Sequence, residues 1–242
     1  MHQSLQSILS EAKEIYRSWG TEQQPWFRGE PESKTPLVPK LFRKDWGRTE
    51  FQIVQEFRYM GPTYGSIHIP RENTNEWLFL MQHTGAPTRL LDWSAGLLPA
   101  LFFALQEVSP ILWMMDPNQL NKLAGWELPP NTLPITWANQ DSPALRNIEA
   151  AFRNGDGAVK YPIGFIPTYI HPRMAAQRSR FTVHGSMQIS IDTIDGLEHI
   201  HRFSISPQAK SEILTDLNLC GVSFSSLFPD YDGLGKEMSH PI

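Results

Sequence analysis

One short segment combines a Gly/Pro turn with two bases, an acid and hydroxyl side chains within thirteen residues. Residues 82–94 read Gln-His-Thr-Gly-Ala-Pro-Thr-Arg-Leu-Leu-Asp-Trp-Ser, and the apolar residues 97–105 follow almost at once. Polar side chains that are brought against a buried element must find partners or face a ligand. The segment therefore predicts a strand over 88–93 that leads into a buried helix. We expect the functional site at this junction.

Composition limits the class of protein. The chain is 40% hydrophobic and 19% charged with a net charge of −4. These values are typical of a folded domain and give no global electrostatic basis for nucleic-acid binding, although a local basic patch remains open. Cys220 is the single cysteine, so an internal disulfide and a Cys-based zinc site are both excluded. Without a signal-peptide pattern or an 18-residue apolar window, we expect a cytoplasmic protein with no membrane contact.

Periodicity and breaker residues predict the elements. The predicted helices cover residues 5–19, 50–59, 74–84, 94–105 and 206–221, and the predicted strands cover 25–29, 88–93, 111–115, 164–166, 181–184, 187–191 and 201–205. Residues 31–49 are expected to form an irregular loop, and 118–157 an insertion or long loop. Because helices dominate the first half and strands the second, we expect an α+β fold in a single domain over 1–242.

Several motifs resemble those of one family. Trp26-Phe27-Arg28-Gly29 followed by residues 82–94 resembles the FRG domain, which is named for its Phe-Arg-Gly motif. Residues 171–184 are similar to the family's Arg-Gln-Phe segment, and 227–234 to its C-terminal signature. The resemblance spans roughly residues 20–238. One departure stands out, since the family often has Gly two residues after the glutamine, where this chain has Gln177-Arg178-Ser179.

A second, fold-level resemblance suggests a chemistry. Many ADP-ribosyltransferases open with a strand that ends in an aromatic-Arg-Gly motif and continue with a Ser-bearing strand that runs into a helix. Phe27-Arg28-Gly29, then 90–94 leading into 100–104, is similar to that order. The resemblance implies an ADP-ribosyltransferase-like fold of mixed small sheets with flanking helices, and NAD as the substrate. ADP-ribose would pass to a protein, a nucleic acid or water, in a toxin or antiviral-defence setting.

The same resemblance implies roles for individual residues. Arg28 would hold a phosphate of NAD through a bidentate contact, and Gly29 would allow close backbone approach. The residues expected to bind the cofactor are Arg28, Gly29, Gln82, Thr88, Arg89, Asp92, Trp93 and Phe181. The residues expected to act in catalysis are His83, Ser94 and Gln177. Strand alternation puts Arg89 and Asp92 on opposite faces, so each needs its own partner.

Each of these assignments has a structural alternative. Arg28 would instead pair with a core carboxylate such as Asp92, and Ser94 would cap the following helix. His83 would bond a carbonyl at the end of its helix. For Trp93 and Phe181 the alternative is ordinary core packing.

The catalytic acid is the weak point of the transferase hypothesis. A late-strand Glu usually stabilises the ribose in this reaction, yet Glu198 is the only Glu between residues 158 and 206, in a segment that resembles a turn. Asp192 and Asp195 also resemble turn residues.

Two rival functions therefore stay open. One is a non-catalytic nucleotide-sensing module with the same pocket. The other is a metal-dependent nuclease or phosphohydrolase that uses Asp92, Asp230, Asp232 and histidines. We expect no metal site, because His199 and His201 form the only tight histidine pair and an Asp-Gly turn explains the two late aspartates.

Overall fold

A computed structural model describes residues 1–30, 36–64, 69–106, 109–127 and 142–239. The strands are β1 (Trp26–Glu30), β2 (Leu90–Ser94), β3 (Ile111–Met115), β4 (Ile163–Phe165), β5 (Ser179–Val183) and β6 (Ile200–Ser204). The α-helices are α1 (Leu5–Ser18), α2 (Glu50–Met60), α3 (Thr74–His83), α4 (Leu97–Ala104), α5 (Pro117–Leu123), α6 (Pro143–Ala150), α7 (Pro172–Ala176), α8 (Lys210–Leu219), α9 (Phe224–Leu227) and α10 (Tyr231–Ser239). The α+β prediction is confirmed.

The six strands form one antiparallel sheet that is nearly divided in two. Its order is β4-β5-β2-β1-β3-β6. In most of the sheet, neighbouring strands are in register over several residues, as β2 and β5 are from Leu90 to Ser94. Within the described chain, β1 and β2 are in register at one position, Phe27 opposite Ser94. The two central strands therefore separate beyond this pair, and a cleft opens between the halves.

Helix α4 covers the central strand because Gly29 lets it approach. A Cβ atom on Gly29 would lie 2.1 Å from the Ala100 carbonyl oxygen and 2.5 Å from the Ala104 amide nitrogen. Helices α1, α4 and α8 bury a core with β1, β3 and β6, while α3 and α6 bury a second core with β4 and β5. Helix backbone fills the space that a side chain at position 29 would need, so the packing of α4 on β1 is by itself a reason for a glycine there.

Short polar side chains start several helices where the sequence predicts. Ser4 caps α1, and Thr49 and Gln52 form a reciprocal capping box at α2. For α3 the cap is Asn73, the residue directly before the predicted start of the helix. Helix α4 is preceded by Gly96, so Ser94 is not its N-cap. The Ser94 hydroxyl instead accepts the Gly96 N–H, one turn ahead of the helix.

One predicted strand is wrong. Residues 187–191 do not form a strand, because the backbone of this segment bonds outside the sheet, as in the contact of Ile191 N–H with the Leu37 carbonyl. The apolar alternation there reflects packing of Ile189 and Ile191 against a third core cluster. The segment 118–157, which the sequence predicts as an insertion or a long loop, contains most of α5 and all of α6. Residues 128–141 of that loop lie outside the described residues, as do 31–35 of the loop predicted over 31–49.

Candidate functional site

The cleft between β1 and β2 has a volume of about 450 Å³. Three strands, three helices and the segment after α9 contribute to its walls. Its lining residues are Phe27, Arg28, Gly29, Gln82, His83, Asp92, Trp93, Ser94, Ala100, Phe103, Gln106, Arg173, Met174, Gln177, Ser179, Phe181 and Phe228. The cleft therefore brings together nine of the eleven residues that the sequence proposes for the site. Thr88 and Arg89 lie outside it.

Arg28 is held from two sides at the floor of the cleft. Its Nε donates to the carboxylate of Glu30, which is 3% exposed, and its Nη1 donates to the backbone carbonyl of Asp92 at 2.6 Å. The core carboxylate that pairs with Arg28 is therefore Glu30, whereas Asp92 offers only its main chain. These contacts fix the guanidinium plane and leave Nη2 without a recorded hydrogen bond in the described structure. A fixed guanidinium with a free edge suits a bidentate anion contact.

Asp92 presents its carboxylate to the same cleft. The side chain opens into the cleft while protein surrounds it on the other sides, and its Oδ2 accepts a hydrogen bond from Gln82 Nε2 at 2.5 Å. The pKa of Asp92 is raised above its ordinary value, because the effect of burial exceeds the lowering by the charge of Arg28 and the Gln82 hydrogen bond. These opposing effects are typical of carboxylates in functional sites.

The side chain of Gln82 is itself held by a hydrogen bond from Thr88. The hydroxyl of Thr88 donates to Gln82 Oε1 and accepts the Leu90 N–H at 3.1 Å. Thr88 is fully buried, so it supports the site without touching a ligand. Thr88 therefore lies behind the cleft wall, away from the surface on which the sequence predicts cofactor binding.

Ser94 and Gln177 join β2 to the opposite wall. Ser94 Oγ donates to the Gln177 carbonyl at 2.8 Å, and Gln177 Nε2 donates to the Leu227 carbonyl at 3.1 Å. The departure from the family pattern falls here, and Arg178 takes the left-handed conformation with φ 51°. The turn is thus made by Arg178, one residue before the family's usual glycine position.

The cleft is thus lined in large part by residues of the 26–29 and 82–94 motifs, which carry the resemblance to the FRG domain. Residues 23–110 match the family model of the FRG domain. The predicted FRG domain is confirmed over that range, which runs from the approach to β1 to the residue before β3. Neither a curated protein nor a solved structure matches the chain.

Residues beyond the matched range complete the cleft between β1 and β2, hereafter the FRG cleft. Arg173 on α7 bonds Asp230 and lies over the Phe228 ring, with 5.1 Å between the guanidinium carbon and the ring centroid. This hydrogen bond lowers the pKa of Asp230 to about 2, and Asp230 also accepts the Gly233 N–H. The C-terminal signature therefore closes one wall of the cleft, a contact across 57 residues that no local pattern reveals.

His83 stands beside His171 at the mouth of the cleft. The ring centroids are 4.0 Å apart. Burial and the neighbouring His171 and Arg173 lower the pKa of His83 to about 4, so its imidazole is neutral near pH 7. The planes of the His83 and His171 rings are tilted by 35°, and no helix carbonyl among the described residues accepts a hydrogen bond from His83. A neutral imidazole facing the cleft can accept a proton, although a low pKa makes it a weak base.

The remaining predicted binding residues pack in the fold. Arg89 forms a buried ion pair with Glu50 and bonds the His184 carbonyl, away from the cleft. Glu50 and the His184 carbonyl occupy its guanidinium inside the fold, so its predicted contact with the cofactor has no counterpart in this cleft. The Trp93 indole donates to Thr182 at 3.1 Å, which favours the packing alternative for this residue.

Phe181 also serves mainly in packing. Its ring lies 5.6 Å from that of Phe79 and 5.9 Å from that of Phe165, although one edge reaches the cleft. The described residues also bear on the metal and membrane hypotheses. In the described ranges, no cluster of three or more metal-binding side chains occurs, and no helix is both long and apolar enough to cross a bilayer.

Proposed function

We propose that the chain binds NAD in the FRG cleft and breaks the bond between nicotinamide and ribose. The supporting observation is the meeting of Phe27 and Ser94 at the point where β1 and β2 separate. An aromatic-Arg-Gly strand and a Ser-bearing strand that runs into a helix thus border one cleft, in the order that resembles ADP-ribosyltransferases. An ADP-ribosyltransferase-like fold, with its sheet split into halves, is part of this proposal.

Arg28 is the proposed anchor for the diphosphate. Its guanidinium is fixed by Glu30 and the Asp92 carbonyl, so little further ordering is needed when an anion binds. Arg173 adds a second positive charge on the opposite wall. A diphosphate between these two groups would receive the charge-assisted hydrogen bonds that arginine makes best.

The rest of the lining suits the planar rings of NAD. Phe27, Phe103, Met174, Phe181 and Phe228 give the cleft apolar walls. A volume of about 450 Å³ lies in the usual range for small-molecule sites, which combine apolar walls with a few polar groups. ADP-ribose would then pass to a macromolecular nucleophile or to water, in a toxin or antiviral-defence setting.

One observation favours a second candidate function, a nucleotide-sensing module without turnover. Strand β5 reads Ser-Arg-Phe-Thr-Val and so carries no acidic residue where a transferase would be expected to supply its late-strand Glu. The following test therefore separates binding from turnover.

The test uses labelled NAD with the wild type, Arg28→Lys and Arg202→Lys. Lysine at position 28 keeps a positive charge beside buried Glu30 but loses the planar fork. Arg202, an exposed residue on β6, provides the matched control. Nicotinamide release, label transfer to lysate proteins and nucleic acids, and the shift in melting temperature with NAD are measured for each.

The proposal predicts release of nicotinamide by the wild type and by Arg202→Lys. For Arg28→Lys we expect about a tenfold or greater loss of NAD affinity, since one charge-assisted bidentate contact is lost. Stabilisation by NAD without product would favour the sensing module. The proposal would be refuted if NAD neither raised the melting temperature of the wild type nor gave any product.

A further inference from the structure

The acid missing from β5 has a counterpart elsewhere in the cleft. Of the described residues that line it, Asp92 is the only acidic one. Asp92 lies on β2, and Ser94 follows it by two residues, so strand alternation puts both side chains on the same face. The carboxylate thus lies on the strand that borders the cleft rather than on the late strand that the transferase resemblance leads one to expect.

A directed chain of hydrogen bonds holds this carboxylate. The Leu90 N–H donates to Thr88 Oγ1, and the Thr88 hydroxyl donates to Gln82 Oε1. Because Oε1 is occupied in this way, the amide NH₂ of Gln82 faces Asp92 and donates to Oδ2. The orientation of the Gln82 amide therefore follows from the buried hydroxyl behind it.

We propose that Asp92 is the catalytic carboxylate of the cleft, and that Gln82 and Thr88 are positioning residues which aim it and favour its ionised form. This inference rests on the proposed NAD cleavage. It gives three residues of the 82–94 segment connected roles. Donation from Gln82 stabilises the carboxylate over the neutral acid, because the amide hydrogen bond is stronger to a charged acceptor.

The chemical step balances without an oxidant or reductant. The bond between ribose C1′ and the nicotinamide nitrogen breaks, and its electron pair goes to that nitrogen, which becomes neutral. The carboxylate of Asp92 stabilises the positive charge that develops at C1′. The oxygen or nitrogen of the acceptor then forms its bond to C1′, and its proton passes to Asp92.

Charged groups from several elements set the ionisation of Asp92. Arg28 and Glu30 approach from β1, and Arg43 contributes positive charge from the short 3-10 turn at 40–43. His83 on α3 and Arg173 on α7 face the same cleft. The test must therefore change the Gln82–Thr88 chain and leave these charges in place.

The positioning role is measured in the resting protein by ¹³C NMR of the aspartate carboxyl groups. Asp92→Asn assigns the signal. Gln82→Leu should raise the pKa of Asp92 by about one unit, since a hydrogen bond to the charged form is lost. Thr88→Val should raise it by a smaller amount in the same direction, and Thr88→Ser, which keeps the hydroxyl, should restore the wild-type value. An Asp92 pKa that is unchanged in both Gln82→Leu and Thr88→Val would overturn the positioning role.

The catalytic role is measured by nicotinamide release from NAD as a function of pH. Asp92→Asn should lower kcat by about 100-fold or more, as is usual when a catalytic acid or base is lost. Thr88→Val should move the acid limb of the kcat profile to higher pH, and Thr88→Ser should not. Asp92→Asn with wild-type kcat would overturn the catalytic role, and so would a uniform loss of kcat in Thr88→Val without a shifted limb.

The two measurements keep this inference separable from the proposed function. If the wild type neither binds nor cleaves NAD, the proposed function fails, and the catalytic role of Asp92 fails with it. The carboxyl titration needs no NAD and still decides the positioning role of Gln82 and Thr88.

Discussion

Arg89, just before β2, and Asp92, within β2, are charged residues with different environments. Arg89 is 5% exposed and uses its guanidinium on Glu50 and the His184 carbonyl. Asp92 receives one side-chain hydrogen bond and opens into the cleft. A charged group whose bonds are all made inside the protein stabilises the fold, whereas one that keeps unused capacity is available to a ligand. Sequence proximity alone does not separate these cases.

The largest effect should come from Arg89. Arg89→Ala leaves the carboxylate of Glu50 buried without its partner, so we expect the free energy of unfolding to fall by about 3–5 kcal/mol. Urea denaturation measures this change. The control is Arg48→Ala, whose partner Glu56 is 49% exposed and whose loss should cost at most about 1 kcal/mol. Equal losses in the two variants would contradict the structural role of Arg89.

Gly29 should give the next largest effect, because the absence of a side chain there lets α4 pack against β1. Gly29→Ala places a Cβ against the backbone of α4, so we expect a loss of about 1–3 kcal/mol. Gly235→Ala is the matched control, because a Cβ there meets nothing within 4 Å. If Gly29→Ala were as stable as the wild type and lost only ligand affinity, Gly29 would belong to the binding surface after all.

A smaller effect on the pH dependence of stability should distinguish His184, near Arg89, from His83, in the cleft. Burial lowers the pKa of His184, behind Arg89, to about 3, and that of His83 in the cleft to about 4. In the unfolded chain each histidine binds a proton near pH 6.5, whereas in the folded protein it stays neutral down to its lowered pKa. The free energy of unfolding should therefore fall as the pH drops from about 6.5 towards these values. The slope from His184 should be about 1 kcal/mol per pH unit.

Unfolding by urea at pH 5, 6 and 7.5 measures that slope. His184→Gln should flatten the dependence, because glutamine does not titrate and can still donate to the Ile189 carbonyl that His184 Nε2 contacts. His83→Gln should flatten it less, since the cleft leaves His83 partly open to solvent. An unchanged slope in His184→Gln would show that other groups control acid stability.

Local patterns predicted most of the elements and the centre of the site. Apolar periodicity located α1, α2 and α3, and the density of polar residues in 82–94 indicated where the cleft would lie. Arg89 and Asp92 also have separate partners, Glu50 and Gln82, as the sequence predicts. These features depend on neighbours within a few residues, which is the range over which a sequence pattern acts.

Long-range partners could not be predicted in the same way. Arg89 meets Glu50 across 39 residues, and Arg173 meets Asp230 across 57. Nothing in the local sequence distinguishes these pairs from other combinations of charge. The false strand at 187–191 has the same origin, because residues that pack on a core cluster alternate just as strand residues do.

The central claim is that NAD binds where β1 and β2 separate, and a structure of the complex tests it most directly. The ligand would be an NAD analogue with a carbocyclic nicotinamide ribose, which cannot form the oxocarbenium ion. The account predicts a diphosphate oxygen within about 3 Å of Arg28 Nη2 and the nicotinamide ribose beside Asp92 and Ser94. An analogue bound outside this cleft, or bound there with its diphosphate away from Arg28, would contradict it.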